Sequence, residues 1–361
     1  MLDTEDKDST IRKILQDVKR GKVQPWRSKK VKSLKLADSL HRLGEHKKAN
    51  RVWHCCNNLA YKVDPETGAR VLHSADNCRE RLCPLCAWRR SKKLFVQISK
   101  VMDKFEQQKS DLVPVFLTLT VRNCSGEELP KVLDGVFAGW KNFIDHYKIR
   151  KLIKGWFRGL EITYYGDKVI TEKGYQRRKE VYDKVGLKPG DINPYYDTFH
   201  PHIHVILLVE KSYFSKDNKD YMQTAEWVQM WRTTAKLSYD PICWIEGIKA
   251  NKGKHKPIAE VAKYTLKDTD FLTNDNETTD RLVGVLGGAL KGRRLFAFGG
   301  LLKKIAKEIG QEELGEGDLV HIDEESIRED VATLIEVYRW DLGQANYLLK
   351  MAIGGVKDGK T

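Results

Sequence analysis

The stretch His200-Pro201-His202-Ile203-His204-Val205-Ile206-Leu207-Leu208-Val209 decides how this chain is read. Two histidines flank one isoleucine and run directly into an aliphatic strand. Side chains at i and i+2 of a β-strand project from the same face, so His202 and His204 present two imidazoles side by side. Two imidazoles on one rigid strand make a partial metal site. His200 continues that face, although Pro201 puts it at the strand entrance. An HxH pair alone is a weak motif; its weight here comes from the segments on either side.

Upstream, Pro114-Val115-Phe116-Leu117-Thr118-Leu119-Thr120-Val121 reads as a central strand by composition. Gly159-Leu160-Glu161-Ile162-Thr163-Tyr164-Tyr165 reads as another, with a lone carboxylate among apolar and β-branched neighbours. Downstream, residues 257–268 predict a helix, with Pro257 suited to its first turn. Helical spacing puts Glu260, Tyr264 and Lys267 on one face of it. A metal site, a tyrosine and a lysine in that order are the parts for nucleophilic attack on a phosphodiester.

These residues resemble the HUH endonuclease superfamily, and within it the single-tyrosine replication initiators of rolling-circle plasmids from Gram-positive bacteria. Phe116-Leu117-Thr118-Leu119-Thr120 is similar to the first motif of that family, and His202-Ile203-His204 to its metal-binding second. Glu260, Tyr264 and Lys267 are similar to its catalytic third. The tyrosine follows the histidines, as in replication initiators and some transposases; relaxases carry it before them. The resemblance runs from about residue 50 to about residue 305.

The resemblance implies an α+β fold: a central antiparallel sheet of about five strands flanked by helices, the histidine strand central, with a small zinc-binding module beside it. It implies that Glu161 joins His202 and His204 in holding a catalytic cation, with His200 a rival third ligand; such a donor set suits Mn²⁺ or Mg²⁺. Tyr264 would attack the scissile phosphate, leaving a 5′-phosphotyrosine and a free 3′-OH. Lys267 would stabilise phosphate charge or lower the tyrosine pKa, with Lys263 a weaker candidate. One turn from Tyr264 stand Glu260 and Asp268, where two-tyrosine initiators carry a second tyrosine. This resembles the subfamily in which a glutamate activates water for the terminating cleavage. The implied partners are the single-stranded nick site of a stem-loop in plasmid origin DNA, a host helicase and a DNA polymerase, with homodimerisation left open. A transposase of the same superfamily shares the site; a non-catalytic, zinc-stabilised DNA-binding regulator is a reading from another class.

Composition agrees with a polyanionic partner: 64 basic residues against 50 acidic ones give a net charge of +14 and a pI near 9.2. At 361 residues the chain can bury one large core or two moderate ones. No stretch approaches a membrane span, and Met1-Leu2-Asp3-Thr4-Glu5-Asp6 lacks a signal-peptide pattern, so the cytoplasm is expected. Seven cysteines then read as metal ligands or buried thiols rather than disulfides.

Cys78-x4-Cys83-x2-Cys86 is a tight triplet, and His54-Cys55-Cys56 precedes it. Four soft ligands with a CxxC knuckle suit tetrahedral structural Zn²⁺. Arg51-Val52-x-x-Cys55 and Cys78-x2-Arg81-Leu82-Cys83-Pro84-x-Cys86-x-Trp88-Arg89-Arg90 resemble a recurring block of the same family, and that alignment makes Cys55 the fourth ligand. The chain departs from it at Cys56, where glycine is usual, so Cys56, His54 and His73 compete. Cys124 and Cys243 read as buried thiols.

The expected organisation is a basic arm over residues 1–50, a zinc module over 51–95, the catalytic domain over 96–270 and an accessory region over 281–361. Between Lys19 and Lys35 there is no acidic residue, and Lys29, Lys30 and Trp26 lie in that run as candidate DNA contacts. Arg89 and Arg90 directly follow the cysteines as a further basic contact. Residues 129–148 carry apolar residues at helical spacing whose aromatics read as core. Residues 166–198 read as an insertion, 221–237 as a helix, 242–249 as a strand and 268–280 as a break. Gly299-Gly300 fits a turn before a helix. No Walker-type phosphate loop occurs, so the chain is not expected to unwind DNA with ATP itself. Residues 311–361 offer no functional reading.

Overall fold

The computed structural model describes residues 13–19, 21–108, 110–215, 217–248, 255–262, 265–315, 317–322 and 333–356. The chain divides into two compact units, one of residues 1–89 with 318–361, the other of residues 90–317.

The second unit is built on a five-stranded sheet. Its strands run Cys243–Gly247, Leu112–Thr120, Thr198–Glu210, Ile153–Tyr165 and Phe296–Gly299 in spatial order, every pairing antiparallel. The expected α+β fold with a central histidine strand is therefore observed. The reason lies in that strand's own sequence. From Ile203 to Val209 the side chains are buried on both faces, which requires a packed layer on each face of the sheet.

The alternation of side chains separates two cores. Phe116, Phe157 and Ile206 share one face, covered by Leu94 and Ile98 of helix Pro84–Gln107, Ile258 of helix His255–Val261, and Leu302 of helix Gly300–Glu308. The other face meets helices Leu129–Asp145 and Thr224–Thr234. There Trp140, Phe143, Trp227 and Trp231 interlock, and Trp140 lies edge-on to Trp156 of the sheet. The aromatics of residues 129–148 are thus core, as expected, and each such side chain contributes roughly 1.5–3 kcal/mol through burial. Trp231 donates its indole N–H to the Thr120 carbonyl, so its one polar atom is satisfied in the core.

The first unit carries a four-stranded antiparallel sheet in the order Asn346–Val356, Thr333–Asp341, Asn58–Val63, Arg70–Ala75. Helices Trp26–Arg42 and His46–His54 belong to the same unit. Tyr61, Tyr338 and Tyr347 are fully buried there. Residues 333–356, for which the sequence offers no reading, supply half of this sheet, and they share a unit with the cysteine segment.

Smaller differences from the expected elements are local. Residues 166–198 contain short helices at Glu172–Arg177 and Lys179–Lys184. The helix expected over 129–148 breaks at His146, which is extended, and a second one follows at Tyr147–Leu152. No helix among the described residues is long and apolar enough to cross a membrane.

Candidate functional site

Strand register places the site. Glu161 pairs across the sheet with His202, and Gly159 with His204, while Thr120 and Thr118 flank the same histidines from the other side. Glu161 Oε2 lies 3.0 Å from His204 Nε2 and 3.4 Å from His202 Nε2. Burial pushes the Glu161 carboxyl upward, but hydrogen bonding to His202 and His204 outweighs it and holds the group well below the usual carboxylate range. The site therefore presents an ionised carboxylate and two imidazoles to a common point.

The rings are oriented by their other nitrogens. His202 Nδ1 lies 3.2 Å from the His200 carbonyl, which can only accept, so Nδ1 donates there while Nε2 faces Glu161. His204 Nδ1 meets the Thr118 hydroxyl at 3.0 Å. Ring orientation by such outer partners is characteristic of metal-ligating histidines. Sequence reasoning gives Thr118 only as part of the first motif and misses its contact with His204; its same-face alternation with Thr120, on the strand beside the histidines, is the signal that could have marked it. His200 stands outside the converging group of three. Its Nδ1 lies 3.5 Å from Arg178 Nη2, and burial together with the His202 and Arg178 charges lowers its pKa to about 3.

Glu260 reaches this cluster from the neighbouring helix, its Oε1 4.0 Å from His204 Nε2. The approach depends on Gly159. A Cβ there would stand 2.7 Å from the Val261 carbonyl, so only glycine lets the helix end come this close to the sheet.

The single helical face expected for Glu260, Tyr264 and Lys267 is not what forms. The helix ends at Val261, and the Thr265 carbonyl accepts from the Ile162 N–H at 2.7 Å. The edge strand Phe296–Gly299 pairs with residues 156–159, and the Thr265 carbonyl takes up the Ile162 N–H beyond the end of that pairing. Lys267 is exposed and precedes a separate short helix, Asp268–Phe271. Tyr264 and Lys263 lie outside the described residues. Thr265, next to Tyr264, is tied by that backbone bond to the residue after Glu161.

The cysteines form a second converging group. The sulfurs of Cys55 and Cys86 are 3.6 Å apart, those of Cys78 and Cys86 3.6 Å, and those of Cys83 and Cys55 3.7 Å. A tetrahedron around a metal with bonds of about 2.3 Å to sulfur has edges of about 3.8 Å, so the donor set fits a tetrathiolate centre. Backbone N–H groups of Cys78 and Arg79 point at Cys55 and Cys86 sulfurs, and Ser33 Oγ lies 3.4 Å from Cys83 Sγ. Hydrogen bonding to Cys55 and Cys83 pushes Cys78 far above the thiol range. At Cys83 burial acts upward, but hydrogen bonding to its three neighbours prevails and pulls the thiol well below that range.

The competitors for the fourth position stand elsewhere. Cys56 borders the group, its sulfur 3.9 Å from that of Cys55, but lies outside the converging four and faces Asn77; His54 bonds the Asn50 carbonyl, and the His73 ring sits beside His321. Cys56 has φ of +51°, which accounts for the glycine expected there from the resemblance. Cys124 and Cys243 are buried thiols, as read from sequence.

A sequence model described as "Replication protein" matches residues 69–348, most of the chain and both converging groups except Cys55. The chain belongs to the Replication protein family. It is 33% identical over 354 residues to "Protein rep" of Bacillus amyloliquefaciens, covering 91% of this chain and 95% of that one. Its identity to "Protein rep" of Lentilactobacillus hilgardii is 35% over 344 residues, covering 94% and 99%. A further "Protein rep", from Streptococcus pneumoniae, is 32% identical over 94% of this chain. No solved structure matches. The resemblance to plasmid replication initiators of Gram-positive bacteria, drawn from three short motifs, is thus borne out over nearly the whole length.

The cations named for DNA contact in this Replication protein family member are placed very differently from one another. Lys30 is fully buried and donates to the carbonyls of Trp53 and Cys55 and to Asn57 Oδ1. Its ammonium therefore ties the entry of the cysteine cluster and cannot meet a phosphate, which corrects the reading of Lys30 as part of a DNA-binding arm. Arg89 is also buried, donates to the Leu319 and Val320 carbonyls, and lies over the Trp26 and Trp88 rings. It too serves the fold, because its guanidinium is taken up by backbone acceptors. Trp26, buried and bonded to Asp17, is core rather than a base-stacking residue. Arg90 is half-buried with Nε on the Gly315 carbonyl, and Lys29 is half-buried. Sequence reasoning saw only the charges; burial is decided by segments distant in the chain.

Proposed function

We propose that this chain starts plasmid rolling-circle replication as a metal-dependent, single-strand-specific DNA nickase and strand transferase. The observation that supports it most is the convergence of Glu161, His202 and His204, with Glu260 beside them, in a chain of the Replication protein family. Glu161 Oε2 and the two Nε2 atoms would hold Mn²⁺ or Mg²⁺, which would polarise a non-bridging oxygen of the scissile phosphate.

Tyr264 is the proposed nucleophile. Its phenolic oxygen bonds to phosphorus as the bond from phosphorus to the 3′ oxygen breaks, giving a 5′-phosphotyrosine and a free 3′-OH that primes a polymerase. One phosphoester replaces another, so the step is reversible without ATP and the strand can be rejoined. A phenol of pKa near 10 needs help to lose its proton at neutral pH, and Lys267 is proposed to stabilise the charge that develops. Glu260 is proposed to take a proton from water in the terminating cleavage. Origin DNA with a stem-loop nick site, a host helicase and a polymerase are the proposed partners, and the cytoplasm the proposed compartment. Lys29 and Arg90 remain proposed phosphate contacts.

Calorimetric titration of Mn²⁺ tests the site. His204→Ala and Glu161→Ala are each expected to weaken binding at least about tenfold and to lose metal-dependent cleavage, whereas His200→Ala binds normally. Thr118→Val, which leaves the ligands in place, is expected to cost about 10- to 100-fold in affinity or activity, as removal of an orienting partner does. Unchanged Mn²⁺ affinity in Glu161→Ala would remove that carboxylate from the ligand set. Tight origin binding with no nick under any divalent cation would favour the DNA-binding regulator instead.

The cysteine group is proposed to hold a structural Zn²⁺. Thiolate ligation contributes folding free energy directly, because the site exists only in the folded chain. One zinc per chain should co-purify, and Cys83→Ser should lower thermal stability or expression. Freshly purified protein without zinc by elemental analysis would sink this assignment.

A further inference from the structure

The strand that carries Glu161 presents Trp156 and Arg158 to the opposite side of the sheet, since they alternate with Phe157, Gly159 and Glu161. There, between helix Leu129–Asp145 and the sheet edge, lies a cavity of about 690 Å³. This is within the ~300–1,000 Å³ typical of ligand pockets.

Its charge is one-sided. Lys141, Arg150, Lys154, Arg158, Arg294 and Lys303 line it against one carboxylate, Asp145. Lys154 is paired with Glu210 outside the lining. Arg158, in the lining, is only 7% exposed, and no carboxylate among the described residues is paired with it. Its Nη atoms lie 3.2 and 3.4 Å from the Arg294 and Leu295 carbonyls, its face lies over Phe137, and its buried Nε has no hydrogen-bond partner. Arg294, of the same charge, stands beside it, and burial with that neighbour lowers the Arg158 pKa to about 10. A buried guanidinium next to another cation is unfavourable unless an anion joins them.

An aromatic wall accompanies the charge. Trp156 is half-buried in the lining, with Trp140 edge-on at 5.1 Å. Gly299 lies so close that a Cβ would fall 2.1 Å from the Trp156 indole. Gly299 and Gly300 also open helix Gly300–Glu308, which has no side-chain cap, so its first turn adds positive potential to the same space. Cations beside an indole recognise a nucleotide rather than bare phosphate. Lys141, Arg150, Arg294 and Lys303 are exposed around the cavity, more cations than one phosphate engages, which favours a strand over a free nucleotide.

We propose that this cavity is a second single-stranded DNA site, binding a backbone phosphate at Arg158, Arg294 and Lys303 and a base against Trp156. It goes beyond the nick site, from which the thickness of the sheet separates it, and it depends on the proposed function only in taking DNA as its ligand. A strand bound here is a segment away from the scissile phosphate.

The test is fluorescence anisotropy of a labelled oligothymidylate of about 16 nucleotides with the full-length protein, over a range of NaCl and without added divalent cation. Arg294→Glu/Lys303→Glu is expected to weaken binding about tenfold or more. It should also reduce the slope of log K against log salt by about 0.7, the value for one phosphate no longer neutralised. Trp156→Phe should lose part of the tryptophan quenching that the oligonucleotide produces. Metal-dependent nicking of a short oligonucleotide that spans only the nick site should persist in the double variant, so a failed nickase and a failed second site give different results. Unchanged affinity and slope, in a variant with wild-type circular dichroism, would overturn the proposal. If that pair fails to fold, Lys141→Glu/Arg150→Glu on the opposite wall carries the same expectation. Competition by dTMP as effective as that by the oligonucleotide would make the cavity a mononucleotide site and overturn the strand assignment; inorganic phosphate should compete with neither.

Discussion

Tyr264→Phe is expected to abolish nicking and the covalent 5′-phosphotyrosine adduct, while origin binding stays within a few-fold of the wild type. The substitution removes one oxygen and keeps the ring, so packing is conserved and only the chemistry is lost. No other side chain is proposed to attack phosphorus, so the loss of the adduct should be complete within detection. The tether between Thr265 and Ile162 puts the chain next to Tyr264 beside the strand that carries Glu161. The measurement is a denaturing gel of end-labelled single-stranded origin DNA with Mn²⁺, read for cleaved strand and for protein-linked label. An adduct that persists in Tyr264→Phe assigns the nucleophile to another of the 14 tyrosines.

Glu260→Ala is expected to separate initiation from termination. The first nick needs the tyrosine, the cation site and the scissile phosphate, so it should survive. Termination in this mechanism needs Glu260 to take a proton from water, and help of that kind is typically worth about a hundred- to ten-thousand-fold. The variant should nick, form its adduct, and fail to release unit-length single-stranded circles; multimeric displaced strands should accumulate when polymerase and helicase are present. Glu260 Oε1 lies 4.0 Å from His204 Nε2, which places the carboxylate where the reacting phosphate is proposed to bind. Two other outcomes are diagnostic. Normal circle release would mean that Glu260 makes only a helix-surface contact, worth a few tenths of a kcal/mol. Loss of the first nick together with weaker Mn²⁺ binding would make Glu260 a metal ligand rather than a base.

Both predictions rest on residues that the sequence marks by type and spacing. His202 and His204 were legible because a strand's two-residue period is local: once the aliphatic run is read as a strand, both imidazoles must share a face. The CxxC knuckle at Cys83 and Cys86 was legible because its spacing is local too, and the central antiparallel sheet was what the family resemblance implied.

What the sequence could not reveal depends on contacts between distant segments. The Glu260 helix spans only His255–Val261, and the Thr265 carbonyl pairs with the N–H of Ile162, a hundred residues earlier; local helical spacing carries no trace of that bond. Lys30 and Arg89 look like any exposed cation in a basic run; only the carbonyls and rings folded around them turn their charges inward. Cys55 rather than Cys56 joins the converging sulfurs, and Cys56 sits in a left-handed turn with its thiol on Asn77. The four-stranded sheet joins residues 58–75 to residues 333–356, pairs that no sequence window contains. Sequence by itself thus determined the chemistry available and the strand that presents it, because residue type and two-residue period are local. Tertiary structure alone decided which charges face solvent, where the helix stops and which carboxylates meet the histidines, because burial and the satisfaction of backbone donors are settled between segments far apart in the chain.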